Sequence, residues 1–196
     1  MANRNTVGFG LIPTGTVGST PATAGQGKYF IDAAYNVSLF QGSVVQSKVG
    51  YIKDAESTRT LKTIGILNGI FYNAATTLKP TFDNKYIQPI TPANSEDITA
   101  FVIDNPLQLF VGNLNAAAAQ ADYGRTVSMT AADPSGSSTS GQSNKKLDDA
   151  NIHDTNNQFR LLRSAEDPEN DENAANRSVV VCQNLNQYLT NAVTWQ

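Results

Sequence analysis

From Lys28 onward the chain is cut into short apolar runs, each closed by Gly, Pro, Asn or Asp. They are "KYFIDA", "GSVVQSKVGYIKDA", "TLKTIGILNGIFYNAAT", "NKYIQPIT", "DITAFVIDN", "PLQLFVGN", "RTVSMT", "QFRLLR" and "SVVVCQNLN". β-Branched and aromatic side chains suit a pleated, half-buried surface, and the bounding residues end it. Strands at this spacing predict a mainly β domain, a compact β-barrel or β-sandwich. One short helix is expected in "LNAAAAQADYG", with Asn115 as N-cap, an Ala run of high helix propensity and Gly124 at the C′ position. A second short turn falls near "LNQYLTNAV".

Residues 1–27 have a different texture. No charged residue occurs between Val7 and Gly27, and Gly8, Gly10, Gly15, Gly18 and Gly25 alternate with Pro13 and Pro21. Neither a period of two nor one of 3.6 persists. Disordered segments are usually charged and poor in bulky apolar residues. Here Val7, Phe9, Leu11, Ile12 and Val17 stand as apolar anchors. The expectation is an extended N-terminal arm over 1–27 that lies on a partner's surface, followed by a single β-rich domain over 28–196. Two long loops interrupt that domain. "DPSGSSTSGQSNKK" (133–146) is Ser/Gly-rich and expected to be flexible and exposed. "SAEDPENDENAANR" (164–177) is acidic.

Charge narrows the partners. The net charge is −3 and only 16% of residues are charged, against about 25% in ordinary domains. Nucleic-acid binding needs a basic face, which Lys145-Lys146 and the scattered Arg160 and Arg163 do not provide. No run approaches the ~20 apolar residues of a membrane span. The N-terminus lacks the basic region and apolar core of a signal peptide, so synthesis in a cytoplasm is expected. The single Cys182 makes no intrachain disulfide and is expected to be a small buried hydrophobe.

The sequence carries few reactive constellations. His153, the one histidine, lies in the polar stretch "DDANIHDTNN", where a solvated loop residue is expected. "GSSTSG" lacks the spacing of a nucleophile elbow, and Gly27-Lys28 is followed by Tyr29 rather than the Ser or Thr of a phosphate loop. "GFGLIP" ends in Pro13 and follows no strand, so it is no dinucleotide fingerprint. One Cys and one His cannot make a zinc site. Glu166, Asp167, Glu169, Asp171 and Glu172 offer oxygens for calcium but lack the spacing of a calcium loop. They read first as a solvated acidic turn, or one facing a basic partner. No enzyme activity and no cofactor is expected.

The stretches "GFGLIPTGTVGSTPATAGQGKYFI", "TIGILNGIFYNAATTLKPTF", "TPANSEDITAFVIDNPLQLF" and "SVVVCQNLNQY" resemble small virion structural proteins of tailed bacteriophages, marine ones especially, of the capsid decoration or cement type. The resemblance spans most of residues 7–112 and returns near 158–188. It implies a compact β-barrel-like domain with an N-terminal arm, present in many copies on the capsid exterior. The implied partner is the major capsid protein, with the chain itself a trimer or dimer. Under that expectation the arm straps onto a neighbour through Phe9, Leu11 and Ile12, and its deletion leaves the domain folded.

Other roles have their own sequence requirements. A host-facing adhesin would bind glycans through exposed aromatics near Asn or Asp, with Tyr123, Tyr188 and Trp195 as candidates. A neck or head-completion protein would differ in copy number. A hydrolase would need a pair of carboxylates with perturbed acidity in a cleft.

Overall fold

Val44–Lys48 and Tyr51–Asp54 pair antiparallel with only Val49 and Gly50 between them. Both turn residues have positive φ, 57° and 82°, which matches the twist of the flanking strands in a tight hairpin. Gly50 adopts this conformation freely. Val49 is β-branched and 86% exposed, so it takes on backbone strain with no packing in return.

The structure is a computed structural model and describes residues 3, 6–18, 25–56, 58–153, 156–171 and 173–189. Its strands are β1 (Ile12–Thr16), β2 (Gly27–Ile31), β3 (Leu39–Phe40), β4 (Val44–Lys48), β5 (Tyr51–Asp54), β6 (Gly65–Asn73) and β7 (Pro80–Asp83). They continue with β8 (Lys85–Tyr86), β9 (Ile98–Ile103), β10 (Gln108–Asn113), β11 (Thr126–Met129), β12 (Leu147–His153), β13 (Phe159–Ser164) and β14 (Ser178–Gln183). The first sheet has the order β1-β10-β14-β13-β11-β12 and the second the order β2-β9-β6-β4-β5, with β7 also paired to β6. All these pairs are antiparallel. The architecture is a sandwich rather than a closed barrel.

Two cores follow from the two faces of the second sheet. Val44, Ile66 and Ile103 point toward the first sheet and meet Phe110, Val179, Val181, Phe159 and Leu161. Ile31, Val45, Ile52, Leu67, Ile70 and Ile98 point the other way, where the β3–β8 pair closes a second core with Leu39 and Tyr86. Strand β6 serves both cores only because its register shifts between Leu67 and Gly69. A one-residue bulge resets the alternation. Leu67 and Ile70 then share one face, and Ile66 and Phe71 share the other.

Three expectations are corrected. The Ala run is not an α-helix: a single 3₁₀ turn, Gln120–Asp122, is all that forms there. Two turns of helix are marginal in isolation, and the backbone is committed elsewhere. Leu114 N–H donates to Arg177 O, Asn115 N–H donates to Leu147 O, and the Arg177 guanidinium donates to Ala118 O at 2.8 Å. Residues 137–140 of the 133–146 loop are exposed as expected, but the segment after them is built into the fold. Ser143 and Lys145 are buried, the Lys145 ammonium donates to the Thr130 and Ala132 carbonyls at 3.0 Å each, and Gln142 bridges to Gln41. His153 is exposed as expected, yet it ends strand β12 rather than lying in a loop.

Candidate functional site

The N-terminal segment is built into its own domain. Strand β1 forms an edge of the first sheet against β10, with a register shift between Pro13 and Gly15. Leu11 is 1% exposed and belongs to the inter-sheet core. Its N–H donates to Gly42 O, and Gly10 N–H donates to Lys145 O, both at 3.1 Å. Gly8 is required by close approach, because a Cβ there would collide with the carbonyls of Asn144 and Lys145. Asn3 is buried and donates to the Asp171 and Ala175 carbonyls. Of the proposed anchors, Leu11 is therefore core. Phe9 is half-buried, and Val7, Ile12 and Val17 are exposed.

Phe9 and Ile12 do meet the acidic loop. On the outer face of the first sheet, Ile12, Val111, Val180 and Arg163 stand in one cross-strand row. Phe9 walls this row, and Glu166 and Asp167 rim it, around a groove of about 650 Å³. Arg163 pairs with Glu166 at 3.5 Å, and both side chains are solvent-facing. Asp167 accepts from Glu169 N–H and Asp171 accepts from Asn173 N–H, each at 3.0 Å. Among the described residues no group of three or more potential ligands gathers. Glu172 lies outside the described residues.

The second surface was not foreseen from sequence. On the face of the second sheet that carries Ile66 and Ile103, the register continues outward into Phe101 opposite Gly69, Phe71 opposite both Thr99 and Phe82, and Phe30 opposite Thr99. The first sheet does not cover this half. Phe82 is 73% and Phe30 43% exposed, while Phe71 and Phe101 are half-buried. Phe71 and Phe82 pack with ring centroids 4.7 Å apart, and Phe82 and Phe101 lie nearly parallel at 6.5 Å. Gly69 has no side chain to fill the space between those last two rings. The result is an open notch of about 260 Å³, bordered by Asn68, Asp83 and Asn84. The Lys28 ammonium sits 5.6 Å from the Phe30 ring.

Among the described residues, Glu56 is the strongly perturbed carboxyl. It is fully buried, its Oε1 accepts Val44 N–H at 2.8 Å, and its Oε2 has no hydrogen-bond partner. Burial pushes its pKa up to about 8, helped by the neighbouring Asp54 carboxylate and opposed by the Val44 bond and the Lys145 charge. Asp54 Oδ1 accepts Glu56 N–H, so the two acids are adjacent. Neither lines the groove or the notch, and burial keeps this pair from a substrate. Two of the aromatic candidates for a glycan site fall among the described residues. Tyr123 is half-buried with the Arg177 guanidinium 5.5 Å from its ring, Tyr188 is exposed and hydrogen-bonds the Tyr29 hydroxyl, and Trp195 lies outside the described residues. Cys182 is half-buried on the outer face of the first sheet, and burial pushes its thiol pKa up.

The chain matches no protein-family model, no curated protein and no solved structure. Its function is therefore argued from the two surfaces.

Proposed function

We propose that this chain is a capsid decoration protein of a tailed bacteriophage, bound in many copies to the outside of the assembled head and stabilising it across capsomer seams. The observation that carries the proposal is the uncovered aromatic half of the second sheet. Four phenylalanines on rigid, hydrogen-bonded strands form an apolar patch. Such patches on soluble domains mark protein contacts. Aromatic residues are also the side chains enriched where binding energy concentrates.

The sequence resemblance supplies the setting and the low charge suits it, because unpaired ions are costly at the centre of an interface. A ligand that binds only the assembled shell stabilises that shell by mass action. The strap form of the mechanism is not retained, since the N-terminal segment is a strand of its own domain and Leu11 is in its core.

Quantitative mass spectrometry of gradient-purified particles tests the proposal. Copy numbers near parity with the major capsid protein are expected. A dozen copies or fewer would place the chain at the neck or tail, and absence would remove it from the virion.

A further inference from the structure

We propose that a small pocket beside the aromatic face, at the edge of the sandwich, is a phenol site that takes a tyrosine side chain of the partner bound on that face. This rests on the proposal that the aromatic face is the capsid contact, and it names what the capsid protein brings to it. The pocket measures about 150 Å³. Ile66 and Ile103 of the second sheet wall it on one side, and Phe9, Leu11 and Ile12 of the N-terminal segment on the other. Leu11, Ile66 and Ile103 belong to the inter-sheet core, while Phe9 is half-buried and Ile12 is 43% exposed. The pocket therefore opens that core to the surface. An apolar cavity of this volume accepts a benzene ring.

Asn68 joins the pocket to the aromatic face. It is the extra residue of the bulge in β6, and it borders both the pocket and the notch between Phe82 and Phe101. A bulge takes a residue out of the ladder and re-aims its side chain. Asn68 Oδ1 accepts from Gln41 Nε2 at 2.9 Å, and Gln41 Oε1 accepts from Asn84 Nδ2 at 3.4 Å. Gln142 lines the pocket as well. Among the described residues, neither Asn68 Nδ2 nor the Gln142 side chain has a hydrogen-bond partner. A ring that fills the pocket must pair with these amides or bury them unpaired, which is costly. A phenylalanine ring offers them nothing, and an indole N–H donates but cannot accept. A phenol does both: its oxygen accepts from Asn68 Nδ2, and its hydrogen goes to Gln142 Oε1. Tyrosine is also among the side chains that carry binding energy when seated in a pocket. One partner can thus cover the aromatic face and seat its ring next to it, without competition between the two.

NMR titration of the purified, isotope-labelled full chain with p-cresol, the tyrosine side chain as a free molecule, tests the site. Saturable shifts at Gly42, Leu67 and Asn68 are expected, with a Kd on the order of 1 mM. Toluene, which lacks the hydroxyl, should bind roughly three- to tenfold more weakly. Asn68→Leu should lower p-cresol to the affinity of toluene and leave toluene unchanged. Ile103→Phe fills the pocket and should abolish both, with thermal melts showing that each variant is folded. Asn68 is half-buried, so its variant decides the question even where Ile103→Phe fails to fold. No saturable shift, toluene equal to p-cresol, or p-cresol indifferent to Asn68→Leu overturns the phenol site. Binding to heads that lack this chain tests the partner. Asn68→Leu should weaken it roughly tenfold, and a variant that coats heads like the unaltered chain overturns the tyrosine anchor. The decoration role fails separately: a chain absent from particles loses that role, and the p-cresol result stands on the isolated protein.

Discussion

Val44, Ile66 and Ile103 share one face of the second sheet with Phe30, Phe71, Phe82 and Phe101, yet only the first three lie under the first sheet. The chemistry is apolar throughout, and the strands and alternation are continuous. What differs is coverage. Where the first sheet lies over the face, its side chains are core and hold the molecule together. Where it does not, equally apolar side chains become a surface available to a partner. An apolar residue on a strand is thus an element of stability or of recognition according to what lies above it.

The strongest way to break this comparison acts on the covered half. Removing residues 1–16 takes away an edge strand and the buried Leu11, so a loss larger than the ~2–5 kcal/mol of a core Leu→Ala change is expected in chemical denaturation. A truncated chain as stable as the whole would mean that the N-terminal strand is not part of the domain in solution. Ile66→Ala alone should cost about 2–5 kcal/mol.

Glu56 sharpens the covered side further, because its carboxylate accepts the Val44 N–H. Its pKa rises from 4.5 to about 8 on folding. The folded state therefore holds a proton that the unfolded chain releases above the lower value. The contribution to stability is full below pH 4.5 and is lost as pH rises toward about 8. The slope is about 1.4 kcal/mol per pH unit in that window. Glu56→Gln, an uncharged mimic of the protonated acid, should abolish this part of the slope and be the more stable protein at pH 8. Parallel denaturation curves for the two proteins from pH 5 to 8 decide it, and equal slopes would refute the buried, proton-holding carboxyl.

Smaller effects belong to exposed positions. Val49→Asn places a residue that tolerates positive φ before Gly50 and should stabilise by about 1 kcal/mol. A melting temperature unchanged or lowered would remove the strain assigned to that turn. The smallest effect is expected at Phe82, where Phe82→Ala should change stability by no more than about 0.5 kcal/mol. A cost comparable to that of Ile66→Ala would show that the aromatic half is covered in solution, and the contrast between the two halves would collapse.

Much of the strand content was legible. Runs such as "DITAFVIDN" and "SVVVCQNLN" became β9 and β14, because alternation in the first and an unbroken β-branched run in the second are local signals of a pleated backbone. Strands β1, β3, β7 and β12 were not foreseen. They carry Pro13 and Pro80, span two residues in the case of β3, or are largely polar as in "LDDANIH". Their pairing comes from neighbours distant in sequence. Of the candidate site, the sequence offered Phe9 and Ile12 beside the groove and the acidic rim. The aromatic face was hidden because Phe30, Phe71, Phe82 and Phe101 lie on four separate strands, and Phe82 follows Pro80 in a segment without strand periodicity.

The sequence by itself determined a mainly β chain with few charges and none of the spacings that reactive sites require, since those follow from residue type and the period of two. Only the tertiary structure decided that the uncharged N-terminal segment is a strand of its own sheet, that the Ala run gives up its helix to hydrogen bonds with Arg177 and Leu147, and that four phenylalanines face outward. Each of these depends on whether a distant layer covers a given backbone. Local propensities of a few tenths of a kcal/mol per residue yield to the burial of side chains worth about 1.5–3 kcal/mol each.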